Sequence, residues 1–187
     1  LLLERGAKVD TANEDGTTAL MRADWDTETS FGSLAVHFVD MEAKSTALLL
    51  NHGAKPCAKN MEGYTALHHA VRQRNLKKAE MLIAAGCGPD VAGNDGVTPL
   101  IMAVEWDIDS WGRKGNLRDM IRLLLSKGAN PTLQNRKGKT PIDLVKKARS
   151  ERPSYLELLL DRAASGMDMK LPIENRFYTA PSGKAVV

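Results

Sequence analysis

Apolar residues fall into two kinds of helical stripe that alternate along the chain. In Thr65-Ala66-Leu67-His68-His69-Ala70-Val71, the residues Leu67, Ala70 and Val71 sit at i, i+3 and i+4, the spacing of one buried helix face. A second stripe follows over residues 76–85, where Leu76, Ala79, Leu82 and Ile83 recur at i, i+3, i+6 and i+7. Thr65 stands before the first stripe as an N-cap, since its hydroxyl can accept a hydrogen bond from an early helix amide. Gly86 closes the second, because a helix end commonly needs a left-handed residue. Polar turns such as Asn94-Asp95-Gly96 and Asn135-Arg136-Lys137-Gly138 then reverse the chain. The pattern predicts a helix, a loop, a second helix and an extended turn.

The same phrase is written four times. Its opening reads Gly16-Thr17-Thr18-Ala19-Leu20, Gly63-Tyr64-Thr65-Ala66-Leu67, Gly96-Val97-Thr98-Pro99-Leu100 and Gly138-Lys139-Thr140-Pro141-Ile142. Leu-rich runs ending at Gly53, Gly86 and Gly128 close the first three units, a degenerate run over 158–164 closes the fourth, and an orphan run ending at Gly6 opens the chain. The opening glycines are 47, 33 and 42 residues apart, so a 33-residue unit carries insertions of 14 and 9. Thr18 to Gly53 spans 35 residues, Thr65 to Gly86 spans 21 and Thr98 to Gly128 spans 30, which puts the extra residues between the two helices of units one and three. Such units bury their apolar faces on their neighbours and stack into a solenoid. The expected divisions are a helix end at 1–12, repeats at 13–59, 60–92, 93–134 and 135–165, and an extended tail at 166–187.

A unit of this length with Thr-Pro-Leu or Thr-Ala-Leu-His, a Leu-Leu-Leu run and a Gly-Ala exit resembles the ankyrin repeat. The resemblance covers residues 1–165. It implies an all-α fold, an α-solenoid of stacked ankyrin-type helix-turn-helix repeats with β-hairpin finger loops. Fingers and first helices would form a concave protein-binding face. Its residues here would be Met61, Glu62, Tyr64, His69, Arg72, Gln73, Asn94, Asp95, Val97, Arg136 and Lys137, with Tyr64 at a finger tip as the best aromatic anchor. His68 matches the family's structural histidine, which bonds to the cap threonine and nearby backbone. The other repeats depart from it with Met21, Ile101 and Asp143. No repeat has the Gly-His pair usual between the helices, and Ala163 replaces the last exit glycine.

The two insertions share a phrase. One contains Trp25, Asp26, Glu28 and Phe31, the other Trp106, Asp107, Asp109 and Trp111, and Asp24 and Glu105 stand just before the first Trp of each. Aromatic faces amid carboxylates suit a Lys or Arg side chain, so these loops are a second candidate surface, for a basic segment of a partner. The alternative is a small satellite core of aromatic rings that only fixes the loops. Asp107, Asp109 and Gly112 echo the start of a calcium loop, but Trp111 and Arg118 fall where oxygen ligands are needed. Neither His68 nor His52 pairs with Cys or His at zinc spacing, and no phosphate loop or nucleophile elbow is present. No cofactor, metal or catalytic site is expected.

Composition changes the picture little. Apolar residues are 43% and charged residues 26% of the 187, as in ordinary globular chains, and aromatics are only 5%. Residues 1–92 carry 10 Lys/Arg against 12 Asp/Glu, and residues 93–187 carry 16 against 11. The excess centres on Arg136–Arg152, where no aromatic is interleaved, so nucleic acid is not the expected partner. Cys57 and Cys87 are expected to pack as small apolar residues in a reducing compartment, with a disulfide as the lesser alternative. No apolar run is long enough for a membrane span. Leu1-Leu2-Leu3 lacks a charged leader, and the chain opens without Met inside a repeat, as a piece of a longer protein would. The tail would wrap the last repeat through Leu171, Ile173 and Phe177, or link to something beyond. These features point to a monomeric, non-catalytic protein-interaction module in the cytoplasm or nucleus. The alternative is a regulatory or scaffold segment docking within a larger enzyme or channel.

Overall fold

A computed structural model describes residues 5–23, 44–109, 117–148, 160, 161 and 163–166. The helices are α1 (Ala19–Arg22), α2 (44–51), α3 (Ala66–Gln73), α4 (Leu76–Ala84), α5 (Pro99–Asp109), α6 (Arg118–Ser126) and α7 (Pro141–Ala148). First helices pack in a row, α1 on α3, α3 on α5 and α5 on α7, while α4 packs on α3 and α6, and α6 on α5. This is the two-layer solenoid that the repeated stripes predict. Its core is one continuous cluster running from Leu20 and Met21 through Leu67, Val71, Leu82, Leu100, Ile101 and Ile121 to Val145 and Leu160.

Local chemistry sets the ends of the helices. Thr98 Oγ1 accepts from the Ile101 amide and Thr140 Oγ1 from the Asp143 amide, both at 3.2 Å. Thr18, before the single turn of α1, makes no cap bond of this kind. At the other ends Gly53, Gly86 and Gly128 have φ of 83°, 94° and 88°. There the Ala54, Cys87 and Ala129 amides reach back to the Leu49, Leu82 and Leu124 carbonyls, each at 3.0 Å. This six-to-one bond satisfies carbonyls that a helix end otherwise leaves open. His52 adds a ring contact, its Nδ1 2.9 Å from the Leu48 carbonyl oxygen. The fourth repeat keeps an exit glycine, displaced by three residues: helical chain continues past Ala163, and Gly166 takes the left-handed φ of 69°.

Several expectations need correcting. Leu76 is exposed, and the buried place near the start of α4 belongs to Lys78. Its Nζ donates to the Met21 carbonyl at 3.4 Å, so an ammonium meets the negative end of α1. Helix α5 runs on to Asp109, so Trp106 and Asp107 are helical rather than loop residues. Cys57 and Cys87 are joined in a disulfide, with Cα atoms 5.1 Å apart, rather than packing as separate thiols. Their repeats stack so that the extended stretch after α2 runs beside the exit of α4, which no local pattern reveals. The tail wrap by Leu171, Ile173 and Phe177 lies outside the described residues.

Two classes of glycine are separable by substitution. Gly53 (φ 83°) has open space where a Cβ would go, whereas a Cβ on Gly63 (φ 80°) would lie 2.6 Å from the Asn94 backbone nitrogen. Gly53→Ala should therefore cost only the left-handed penalty, about 1 kcal/mol, and Gly63→Ala roughly 3 kcal/mol or more through added backbone displacement. Urea unfolding of both variants measures the difference, and equal losses would contradict the close approach of the fingers.

Candidate functional site

The polar turns between repeats are built alike and joined to one another. In each, a residue three before the finger glycine accepts that glycine's amide: Gly16 to Asn13, Gly63 to Asn60, Gly96 to Gly93 and Gly138 to Asn135, at 2.9, 2.9, 3.0 and 2.9 Å. The same residue donates its amide across the turn to Thr17, Tyr64, Val97 or Lys139, at 3.0 Å in every case. Asn13, Asn60 and Asn135 also use their side-chain oxygen to accept two turn amides each. Each finger then donates to the one before it. The Met61 amide bonds to the Asp15 carbonyl at 2.9 Å, Asn94 to Glu62 at 2.8 Å and Arg136 to Asp95 at 2.9 Å. Four fingers thus share one backbone ladder.

Along this ladder the described tips are Glu14-Asp15, Met61-Glu62, Asn94-Asp95 and Arg136-Lys137, all exposed. Met61 stands 72% exposed, unusual for an apolar side chain of that size. Tyr64 lies half-buried, its phenol donating to Asp95 Oδ2 at 2.5 Å. The ring needs the absence of a side chain on the next finger, since a Cβ on Gly93 would fall 2.4 Å from Tyr64 Cε1. Burial first, and then the bond to Asp95, raises the phenol's pKa above its ordinary value. Partial burial pushes Asp95 up, but the Tyr64 and Val97 bonds outweigh it and leave its pKa lowered. Tyr64 therefore ties two fingers together as well as standing near the tips.

The first helices bring up a different set. Arg72 and Gln73 are half-buried in the last turn of α3, while His69 and Val97, named with this surface from the sequence, are buried at 8% each. Their side chains face the core and offer a partner little area. Among the described residues, both ring nitrogens of His69 and both amide atoms of Gln73 have no hydrogen-bond partner. Burial, then the charges of Arg72 and Lys78, lowers His69 to about 4. His68 accepts the Thr65 amide on Nδ1 at 3.2 Å, which leaves its proton on Nε2 to donate to the Val97 carbonyl at 3.1 Å. That bond links a first helix to the next finger, and burial lowers His68 to about 4 as well. In the fourth repeat Asp143 takes the same place, accepting the Thr140 amide and hydroxyl at 3.0 and 2.8 Å.

Of the second candidate surface, Trp25, Asp26, Glu28, Phe31 and Trp111 lie outside the described residues. Trp106 is 39% exposed in the later turns of α5, and Asp109 ends that helix. Asp107 Oδ1 accepts the Leu117 amide at 2.8 Å, at the entry to α6. This aspartate fastens the second helix of its repeat to the first. Among the described residues no group of three or more His, Cys, Asp or Glu is placed to hold a metal ion.

The ankyrin-repeat description, three copies, matches residues 33–135, more than half of the chain. The chain belongs to the ankyrin-repeat family. An ankyrin repeat-containing protein of Treponema pallidum is 40% identical over 75 residues, covering 40% of this chain and 22% of that protein. The B-cell lymphoma 3 protein homolog of Mus musculus is 38% identical over 109 residues, covering 56% of this chain and 22% of the relative. A Danio rerio protein named as a palmitoyltransferase, ZDHHC13, is 30% identical over 128 residues, 54% of this chain and 20% of its own length. The chain thus spans about a fifth of each of these relatives.

Within the ankyrin array, Gly93 and Asp107 are two residues whose roles at this surface sequence does not disclose. Gly93 breaks the Asn of the other fingers, a signal that becomes readable only once Tyr64 is known to lie across it. The two neutral histidines of the second ankyrin repeat give the array an acid weakness. Both have folded pKa values near 4 against an ordinary 6.5, so the unfolded chain binds protons first as pH falls. Stability is full above pH 6.5 and should drop between there and 4, by on the order of 3 kcal/mol per histidine. Denaturant midpoints measured from pH 7.5 to 4 check this, and His68→Asn together with His69→Leu should flatten that slope.

Proposed function

We propose that this array is a non-catalytic protein-recognition module that docks a segment of another protein along its finger row. One observation carries the reading: exposed Met61 sits mid-ladder, on a backbone-bonded row whose tips run from acidic Glu14, Asp15 and Glu62 to basic Arg136 and Lys137. An apolar side chain held out on a braced backbone, with charge on both sides, supplies a central contact and a polar rim. The charge order favours a partner segment whose basic part lies over the first fingers and whose acidic part meets the fourth. Tyr64 and Asp95 contribute by holding the second and third fingers in line. Trp106 belongs to a second, smaller surface. The setting we infer is intracellular, cytoplasmic or nuclear.

The coverage of the relatives favours one further reading. Since the matched region is about a fifth of proteins such as the one named as a palmitoyltransferase, the same row would serve equally to dock a segment of its own longer chain. In both readings the array binds polypeptide and performs no chemistry itself.

Peptides selected from a displayed library against the immobilised chain provide the test. Met61→Ala combined with Glu62→Lys should weaken selected binders at least tenfold, about 1.4 kcal/mol, with the melting temperature unchanged. Trp106→Ala should leave binding within twofold. Binders indifferent to the finger substitutions but lost on Trp106→Ala would move the site to the other surface.

A further inference from the structure

The joints between repeats are clipped at the helix exits, and one of them uses different chemistry from its neighbours. Six residues before the first three finger glycines stand Asp10, Cys57 and Asp90, and two residues after the exit glycines stand Lys55, Gly88 and Asn130. Asp10 Oδ1 accepts the Lys55 amide at 2.9 Å, and Asp90 Oδ1 accepts the Asn130 amide at 2.8 Å. Each carboxylate thus grips the backbone of the next repeat just past its helix exit. At the joint between them the corresponding residues are Cys57 and Gly88, and Cys57 is bonded instead to Cys87, the immediate neighbour of Gly88. Cys57 Sγ also lies 3.9 Å from the Gly86 carbonyl oxygen. The side chain at this position reaches the same exit turn in all three joints.

We infer that Cys57 and Cys87 form a thiol–disulfide exchange site that stands in for the carboxylate clip, so that small-molecule thiols and disulfides set the grip between these two repeats. Access is unequal in a useful way. Cys57 is half-buried, whereas Cys87 is 1% exposed. The Cys57 thiolate attacks a small-molecule disulfide, whose sulfur–sulfur bond breaks, releasing one thiol and leaving a mixed disulfide on Cys57. Cys87 then loses its proton and displaces the second thiol. In total the two cysteines give up two electrons and two protons, and the small disulfide becomes two thiols. Excess small thiol drives the reverse. The bond closes a loop that contains the whole of α3 and α4, the repeat that carries Met61 and Tyr64. Oxidation therefore braces the middle of the array, and reduction removes the tie at the helix exit while the finger bond, the packing and the side-chain bonds nearer the tips, such as Lys59 Nζ to the Ala92 carbonyl at 2.9 Å, remain. This inference does not depend on what the finger row binds.

Thiol titration and melting of the whole chain test it together. Equilibrated with oxidised glutathione, the native chain should show no reactive thiol, and two after dithiothreitol. Reduction should lower the melting temperature by on the order of 10 °C, the effect expected for opening a loop of this size. The decisive comparison is Cys57→Asp with Cys87→Ala against Cys57→Ala with Cys87→Ala. The aspartate should regain a clip to the Gly88 amide and melt about 5 °C higher, without any response to dithiothreitol. Reduced wild type supplies the same baseline if the double alanine chain fails to fold. Two free thiols under oxidised glutathione, a melting temperature indifferent to reduction, or no gain from the aspartate would each overturn the proposal.

Discussion

One backbone hydrogen bond, repeated at three joints, holds the register of this molecule. Each finger donates an amide, from Met61, Asn94 or Arg136, to the carbonyl of the finger before it. Helix packing alone would let neighbouring repeats slide or rotate, because apolar contact is non-directional. A hydrogen bond is directional, so three in a row fix the spacing of the tips. The glycines at 16 and 63 exist for the same reason, since a Cβ there would press on the following finger.

Around that ladder the repeats add side-chain ties whose chemistry varies while their geometry does not. His68 in the second repeat and Asp143 in the fourth occupy one position and both brace the cap threonine, one as a neutral ring and the other as a carboxylate. Asp10, Cys57 and Asp90 likewise share one position at the exits. The repeated backbone sets what a side chain must reach, and several residue types satisfy it. Tyr64 links two fingers directly, as the Asn94 side-chain amide does by donating to the Met61 carbonyl at 2.7 Å, and Tyr64 can do so because Gly93 leaves room for its ring. A surface assembled this way holds the backbone of Met61 and the charged tips in place.

How much of this the sequence disclosed follows from the range of each interaction. The helix starts at Thr98 and Thr140 and the exits at Gly53, Gly86 and Gly128 depend on residues three to six apart and are legible in the motif, whereas the exit at Gly166 and the reach of α5 to Asp109 are not. The turns at Asn94-Asp95-Gly96 and Asn135-Arg136-Lys137-Gly138 and the basic excess of the later repeats are legible too. Long-range features were not. Lys78 replaces Leu76 in the core because a carbonyl of α1, 57 residues earlier, receives its ammonium. The cysteine pairing and the Tyr64–Asp95 bond each span about one repeat, a distance at which composition gives no geometry. His69 and Val97 look like surface residues by position, yet both are buried in the folded array. Asp107, read from the insertion phrase as a partner contact, accepts the Leu117 amide as well, a tie between helices that the phrase does not reveal.

Amide hydrogen exchange, resolved residue by residue, addresses the ladder most directly. The Met61, Asn94 and Arg136 amides sit in exposed turns and would exchange within seconds if merely solvated. Bonded as described, they should exchange as slowly as the amides of α3 and α5, with protection lost together when the array unfolds. Fast exchange at these three positions, with α3 and α5 protected, would show that the fingers move independently and that no continuous row exists.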